Sequence, residues 1–248
     1  MQNKNQKIRV HFIGIGGIGM SGIAELMKKI GYTVSGSDIN ESENVKRLKE
    51  IGIIVNIGHH KKNISKVNAV VYSSAVKQNN PEIKEAKKNK IPIVSRADML
   101  AELMKNKKCI AVAGSHGKTT TTSLVGSIFD NANYDPTIVN GGIINSYSKN
   151  NRYGKSNWMI VEADESDGSF LKLPHEINII TNIDKEHLDY YKSIEILKKN
   201  FINFIEKTPS FGKAFICLDD KNNRDVIKKI KNLNYNTYGT NKLSNFKI

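Results

Sequence analysis

The stretch of this chain best equipped for chemistry is Ala113-Gly114-Ser115-His116-Gly117-Lys118-Thr119-Thr120-Thr121-Thr122. An apolar run, Cys109-Ile110-Ala111-Val112, precedes it and reads as a buried parallel strand, and residues 123–131 read as a helix. Strand, Gly-rich turn, Lys-Thr and helix together form a phosphate-binding loop. The turn aims successive backbone N–H groups inward, and the helix N-terminus adds a partial positive charge. Gly114, Ser115, His116, Gly117 and Thr120 form the cradle, Lys118 reaches the β/γ-phosphates, and the Thr119 hydroxyl ligates Mg²⁺. The commoner loop pattern wants Gly where Val112 stands, so this is the shorter G-x-x-G-K-T form. The competing reading is an ordinary Gly turn before a Thr-rich helix. It leaves the agreement of strand, Gly spacing, Lys and Thr unexplained.

Further along, Trp158-Met159-Ile160-Val161 reads as a core strand that ends in Glu162-Ala163-Asp164-Glu165-Ser166-Asp167. Acid at the end of a strand beside a phosphate loop is a common way to hold Mg²⁺. So dense an acidic cluster is costly unless a cation neutralises it. The bland alternative is a solvated acidic turn. Ile177-Asn178-Ile179-Ile180 is another strand, followed by Thr181-Asn182-Ile183-Asp184-Lys185-Glu186-His187-Leu188-Asp189. His187 is the candidate second metal ligand, with Glu162 as its companion.

A second Gly-rich turn lies near the start. Residues 8–13 form a strand that runs into Gly14-Ile15-Gly16-Gly17-Ile18-Gly19, then a helix over residues 20–30, then a strand that ends at Ser37-Asp38. The spacing satisfies G-x-G-x-x-G, and Asp38 stands where a ribose-binding acid belongs. Read literally, this is an NAD enzyme. The motif itself specifies only a pyrophosphate on a helix N-terminus, which any nucleoside diphosphate satisfies.

These residues need elements to hold them. Strands are expected at residues 53–57, 69–72 and 91–94, and helices at residues 45–51, 81–88 and 96–104, with Pro81 in a favoured first-turn position. This alternation predicts an α/β fold with a doubly wound parallel sheet and ligands at the carboxyl ends of the strands. Those ends carry the Gly14 turn, Ser37-Asp38, His59 and Ser73-Ser74. His59 and His60 read equally well as ligand groups and as exposed loop histidines. Asn106-Lys107-Lys108 marks a linker, which divides the chain at 1–106 and 107–248. In the second part, Asn140-Gly141-Gly142 reads as a turn or ligand-side loop after a strand at residues 136–139. An amphipathic helix at 193–207 packs the core, and a strand at 213–218, a helix at 224–230 and a short strand at 236–238 follow.

Composition narrows the function classes. The net charge is +14, but the lysines are dispersed, and Arg9, Arg47, Arg96, Arg152 and Arg224 are the only arginines. No basic run is interleaved with aromatics as a nucleic-acid groove would favour. The excess charge reads as solvated faces that attract anionic substrates. Cys109 and Cys217 sit in apolar runs, as buried thiols of a reducing compartment would. The polar start and the lack of an apolar run long enough for a bilayer point to a cytoplasmic protein without a membrane partner.

One set of motifs goes further. It comprises residues 11–22, Gly36-Ser37-Asp38, Val71-Tyr72-Ser73-Ser74-Ala75, Asn80-Pro81-Glu82-Ile83, residues 114–122, Val139-Asn140-Gly141-Gly142, residues 162–167, and Thr181-Asn182-Ile183 with His187 and Asp189. With these the chain resembles the Mur ligases of peptidoglycan synthesis over essentially its whole length. Ser115, where the family often has Thr, keeps the hydroxyl. The resemblance implies a Rossmann-like first domain that holds a UDP-sugar, and a P-loop ATPase-type central domain that is incomplete here. Ser166 and the first Gly-rich turn favour the branch that joins L-alanine to UDP-N-acetylmuramate over the branch that reattaches a murein peptide. By the same resemblance Gly14, Gly16, Gly17, Gly19, Ser37, Asp38 and Ser73 hold the UDP-sugar. Lys118 contacts ATP, and Thr119, Glu162 and His187 hold Mg²⁺ or Mn²⁺. His116 and Asn140 face the substrate's reacting carboxylate. Some relatives carry a carbamylated lysine near the metals; Lys198 and Lys199 lie in that region, and a surface-helix role suits them better. Family members continue into a third domain, expected beyond Ile248. Alone, the chain is expected to bind UDP-sugar yet turn over poorly, either as a partner-dependent fragment or as a nucleotide-binding remnant.

Overall fold

The structure, a computed structural model, describes residues 7–144, 149–231 and 234–248. The chain divides into two compact units, Met1–Leu100 and Ala101–Ile248.

In the first unit the strands are β1 (Arg9–Ile13), β2 (Thr33–Asp38), β3 (Ile54–Ile57), β4 (Ala69–Tyr72) and β5 (Ile93–Ser95). Helices α1 (Ile18–Lys29), α2 (Glu43–Glu50), α3 (Pro81–Lys88) and α4 (Arg96–Met104) connect or follow them. All pairings are parallel, in the order β3-β2-β1-β4-β5. Successive residues of β1 point to opposite faces. Ile13 packs with Ile83 and Ala86 of α3, Ile64 and Val70 in one buried cluster. Ser42 caps α2 by accepting from Val45 N, and Asn80 caps α3 by accepting from Glu82 N, so both helices start where a side chain satisfies an orphan N–H. Helix α1 starts differently. Its N-cap is Gly17, which makes no side-chain hydrogen bond.

The second unit holds an eight-stranded sheet, ordered β13-β12-β11-β10-β6-β9-β7-β8. Its strands are β6 (Lys108–Ala113), β7 (Thr137–Ile144), β8 (Lys149–Arg152), β9 (Trp158–Glu162), β10 (Ile177–Ile180), β11 (Lys213–Cys217), β12 (Tyr235–Gly239) and β13 (Phe246–Lys247). Its further helices are α5 (Lys118–Asn131), α6 (Leu188–Tyr191), α7 (Ile194–Glu206) and α8 (Lys221–Ile227). Among the described strands of this sheet, only β8 runs antiparallel to its neighbour. Helix α5 packs on β6, β7 and β9, while α7 buries Leu197, Phe201, Phe204 and Ile205.

Three expectations are corrected. Asn140 and Gly141 lie inside β7 instead of in a turn: the strand pairs with β9 up to Val139 and continues through a register shift against β8 between Val139 and Ile144. Helix α5 begins at Lys118 rather than Ser123, since Gly117, at φ +78°, turns the chain directly into the helix. Helix α8 begins at Lys221 because Asp220 caps it through Asn223 N. Strands β8 and β13 and helix α6 carry no pattern strong enough to announce them. The division between the units falls within α4, ahead of the linker expected near residue 107. No helix among the described residues is long and apolar enough to cross a membrane.

Candidate functional site

The phosphate loop is braced by the segment that follows β10. Ser115 N donates to Asn182 O at 2.9 Å, and His116 N donates to Asn182 Oδ1 at 2.9 Å. In return Thr181 Oγ1 and Asn182 Nδ2 donate to His116 O at 2.7 and 3.0 Å. Asp184 N donates to Ser115 Oγ at 2.8 Å, so the hydroxyl at position 115 holds the next loop. Gly114 takes φ +140°, where a Cβ would stand 2.0 Å from Thr181 Oγ1. Only glycine lets the two loops approach this closely.

Lys118 is the first residue of α5, and its side chain is only 13% exposed. It donates to Gly114 O at 2.7 Å and Ser115 O at 3.1 Å, and pairs with Glu165 Oε2 at 2.8 Å. Glu165 is fully buried. Burial pushes its carboxyl above the ordinary carboxylate value, and the Lys118 ammonium opposes that shift. Its backbone carbonyl accepts from the Tyr191 hydroxyl.

Thr119 Oγ1 donates to Glu162 Oε2 at 2.9 Å, and Gly141 N donates to the same oxygen at 2.8 Å. The hydroxyl and carboxylate expected to share a cation are therefore already neighbours. Two hard oxygen donors at a phosphate loop suit Mg²⁺ or Mn²⁺. His187, at φ +55°, has its Nε2 3.6 Å from Glu165 Oε1. Glu165, Glu186 and His187 each bring one ligand atom within 4.8 Å of the others. The structure thus groups His187 with two acids that the sequence reading did not single out. His116 is exposed, with its ring nitrogens 3.4 Å from Asp184 Oδ2 and 3.8 Å from Glu186 Oε1. Thr120 is exposed on α5. The buried Asn140 directs its amide to Thr119 O and Ser123 Oγ, bracing α5. Lys198 pairs with Asp225 at 2.9 Å.

In the first unit Gly14 takes φ +76° and donates, with Ile15, to Ser37 O at 2.8 and 3.1 Å. Gly16 N donates to Asp38 Oδ2 at 2.7 Å. Gly19 sits in the first turn of α1, against Arg96. An open cavity of ≈ 740 Å³ is lined by Gly14, Gly17, Asp38, His59 and Ser73, among others. Four of the residues expected to hold a nucleotide, Gly14, Gly17, Asp38 and Ser73, thus line this cavity.

The buried Glu82 lies at this site and was not singled out. Its Oε2 accepts from Ser37 Oγ at 2.6 Å and its Oε1 from Asn63 Nδ2 at 2.7 Å. Burial alone would raise this carboxyl, but His11, Ser37 and Asn63 together hold it below the ordinary value. A signal was present in the sequence only as Glu after Asn-Pro, the mark of a helix start.

The profile "Mur ligase family, catalytic domain" matches residues 9–108, and "Mur ligase middle domain" matches residues 112–247. A UDP-N-acetylmuramate--L-alanine ligase from Pelagibacter ubique is 56% identical over 96% of this chain and 52% of its own length. One from Parvibaculum lavamentivorans is 54% identical, over 94% of this chain and 47% of its own. The chain therefore spans about half the length of the curated relatives it matches. The crystal structure of UDP-N-acetylmuramate-alanine ligase from Thermotoga maritima superposes with a TM-score of 0.84 at 30% identity, over 97% of this chain and 54% of that one. A UDP-N-acetylmuramate:L-alanyl-gamma-D-glutamyl-meso-diaminopimelate ligase from Neisseria meningitides shares the fold at TM-score 0.89 and 22% identity, over 96% of this chain and 80% of that one.

Proposed function

Because this chain belongs to the Mur ligase family, we propose that it carries the UDP-sugar and ATP sites of a ligase joining L-alanine to UDP-N-acetylmuramate. The lactyl carboxylate attacks the γ-phosphorus of ATP and ADP departs, which leaves an acyl phosphate. The amine of L-alanine then attacks the acyl carbon, inorganic phosphate leaves, and the nitrogen loses a proton to give the amide. The protein's part is positioning and neutralisation of phosphate charge.

The observation that carries this reading is Lys118 and Thr119 opening α5, with Glu162 on Thr119 at 2.9 Å. Lys118 orients the β/γ-phosphates, and the loop amides of residues 114–117 hold them in place. Thr119 and Glu162 would hold a divalent cation, with His187 as a further ligand. Such an ion supplies charge neutralisation at the phosphates when bound. His116, exposed beside Asp184 and Glu186, faces the reacting carboxylate. In the first unit the uncapped start of α1 receives the pyrophosphate, and Asp38 and Ser73 orient the rest of the nucleotide. An NAD-linked oxidoreductase would leave the phosphate loop and Glu162 without a role. The proposed setting is the cytoplasm, with no nucleic-acid partner.

Calorimetry with Mg·ATP and with UDP-N-acetylmuramate tests the two sites, and L-alanine-dependent phosphate release tests turnover. Both nucleotides are expected to bind, and Lys118→Ala is expected to abolish any ATP-dependent product. Failure of both to bind, or product formation unaltered in Lys118→Ala, sinks the reading.

A further inference from the structure

The Gly14 cavity has a histidine in its wall and a buried carboxylate behind that histidine. His59 is 17% exposed at the side chain and lines the cavity. Its Nδ1 is 2.9 Å from Ser37 Oγ and 3.4 Å from Glu82 Oε2. The hydroxyl of Ser37 has one proton, and that proton goes to Glu82 Oε2 at 2.6 Å. Towards His59, Ser37 is left with lone pairs only. A bare Nδ1 would face that oxygen and a carboxylate oxygen with no proton between them, so Nδ1 carries the hydrogen.

The carboxylate is committed to this arrangement. Its other oxygen accepts from Asn63 Nδ2 at 2.7 Å and from His60 N at 3.2 Å. Asn80, on the same element, accepts from Glu82 N at 2.8 Å. The remaining titratable group that faces Glu82 is His11 of β1, whose Nε2 is 3.7 Å from Glu82 Oε2 and whose Nδ1 meets Ser35 Oγ at 2.9 Å.

We propose that Glu82 is a positioning residue that fixes His59, through Ser37, as the Nδ1–H tautomer, leaving Nε2 to accept from a donor on the bound nucleotide. The ligand group is an imide N–H or a hydroxyl of a nucleoside diphosphate. This deepens the nucleotide-sugar reading given above and rests on it.

Glu82→Gln turns the logic round while keeping the shape. The new amide oxygen must face the two donors at Asn63 and His60, which leaves its NH₂ against Ser37. Ser37 then accepts there and donates to His59 Nδ1, and the ring proton moves to Nε2. An acceptor in the cavity becomes a donor.

The test uses the full chain. Long-range ¹H–¹⁵N spectra at about pH 8 report which ring nitrogen of His59 carries the proton. Calorimetry with UDP reports the consequence. Wild type is expected to show Nδ1–H. Glu82→Gln is expected to show Nε2–H and about tenfold weaker UDP binding, the loss of one neutral hydrogen bond. His59→Ala should lose a similar factor, with no further loss in the double variant. An Nε2–H signal in wild type overturns the proposal, as does unchanged UDP affinity in folded Glu82→Gln. Should Glu82→Gln fail to fold by circular dichroism, the wild-type tautomer and His59→Ala decide the matter. Unchanged affinity in His59→Ala is then the overturning result. If wild type shows Nδ1–H but binds no UDP, the nucleotide-sugar reading and the ligand class proposed here fail, and the tautomer assignment stands.

Discussion

Removing the charge of Lys118 should cost stability as well as phosphate binding, and the two effects can be separated. Glu165 is fully buried, and Lys118 is its cation at 2.8 Å. Lys118→Met keeps most of the side-chain volume but leaves a buried carboxylate without its partner. Breaking a buried pair from one side costs about 3–5 kcal/mol. Glu165→Gln leaves a lysine that still donates to Gly114 O and Ser115 O, so its expected cost is about 1 kcal/mol. The double variant has neither charge to strand, and should recover about 2 kcal/mol relative to the sum of the single changes.

The pH dependence has a definite sign. Burial raises the Glu165 carboxyl above its ordinary 4.5, with Lys118 opposing. A group raised in the folded state contributes stability that is complete below its unfolded value and is lost as pH rises through its folded value. Without Lys118 that rise is larger, so the deficit of Lys118→Met should be small near the unfolded value and grow towards neutral pH. Glu165→Gln abolishes this dependence. Urea unfolding followed by fluorescence reads the correct unit, because the single tryptophan, Trp158, lies in β9. A Lys118→Met variant within about 1 kcal/mol of wild type at neutral pH, with an additive double variant, would refute the reasoning.

Three further outcomes are expected. Gly114→Ala should cost about 3 kcal/mol and abolish ATP binding, because φ +140° and the Thr181 hydroxyl and Asn182 backbone leave no room for a Cβ. Gly117→Ala, at φ +78° with nothing within 4 Å of its Cβ, should cost about 1–2 kcal/mol and retain ATP binding; urea melts and calorimetry check both, and equal effects would contradict the packing argument. Burial pushes the Cys109 thiol up to about 12, so a thiol reagent at neutral pH should label the half-buried Cys217 first and Cys109 only on unfolding, as peptide mass mapping would show.

What was legible in the sequence was local. Strands Ala69–Tyr72 and Ile177–Ile180 and helices Pro81–Lys88 and Arg96–Met104 lie where the apolar runs and helix-start residues predict. The Gly-rich turns were legible because their spacing is itself the geometry. Asn140-Gly141 was not, because a Gly pair reads as a turn, whereas here it falls at a register shift within β7, between pairings with β8 at Val139 and Ile144. Glu82 was not, because an acid in the first turn of a helix looks like an ordinary favourable charge. Its burial becomes tolerable only once Ser37, Asn63 and His60 arrive from other elements. Glu165 likewise passed as one acid in a cluster until the fold gave it Lys118.

Both units build their site with the same device and compensate its charge differently. Each puts a Gly-rich turn at the carboxyl end of a strand with parallel neighbours on both sides, β1 between β2 and β4, and β6 between β10 and β9. Parallel register sets Ile13 beside Ser37 and Tyr72, and sets Val112 beside Glu162 and Ala113 beside Ile180. The residue that follows each neighbour's last paired position therefore overhangs the turn, which is how Asp38, Ser73 and Thr181 come to lie there. This places carboxylates close to where a phosphate would bind, an arrangement hostile to an anion if those charges stood free. They do not. Glu82 is ringed by neutral donors, Glu162 by a hydroxyl and an amide, and Glu165 by an ammonium. The difference has a consequence. Neutral donors hold Glu82 whether or not a ligand is present, so the first site is preorganised. Lys118 must divide its charge between Glu165 and an arriving phosphate, so binding at the second site raises the Glu165 carboxyl further and should draw in a proton or a cation. Calorimetry of ATP binding in buffers of different ionisation enthalpy would show that proton uptake in the absence of divalent ions, and its suppression by Mg²⁺.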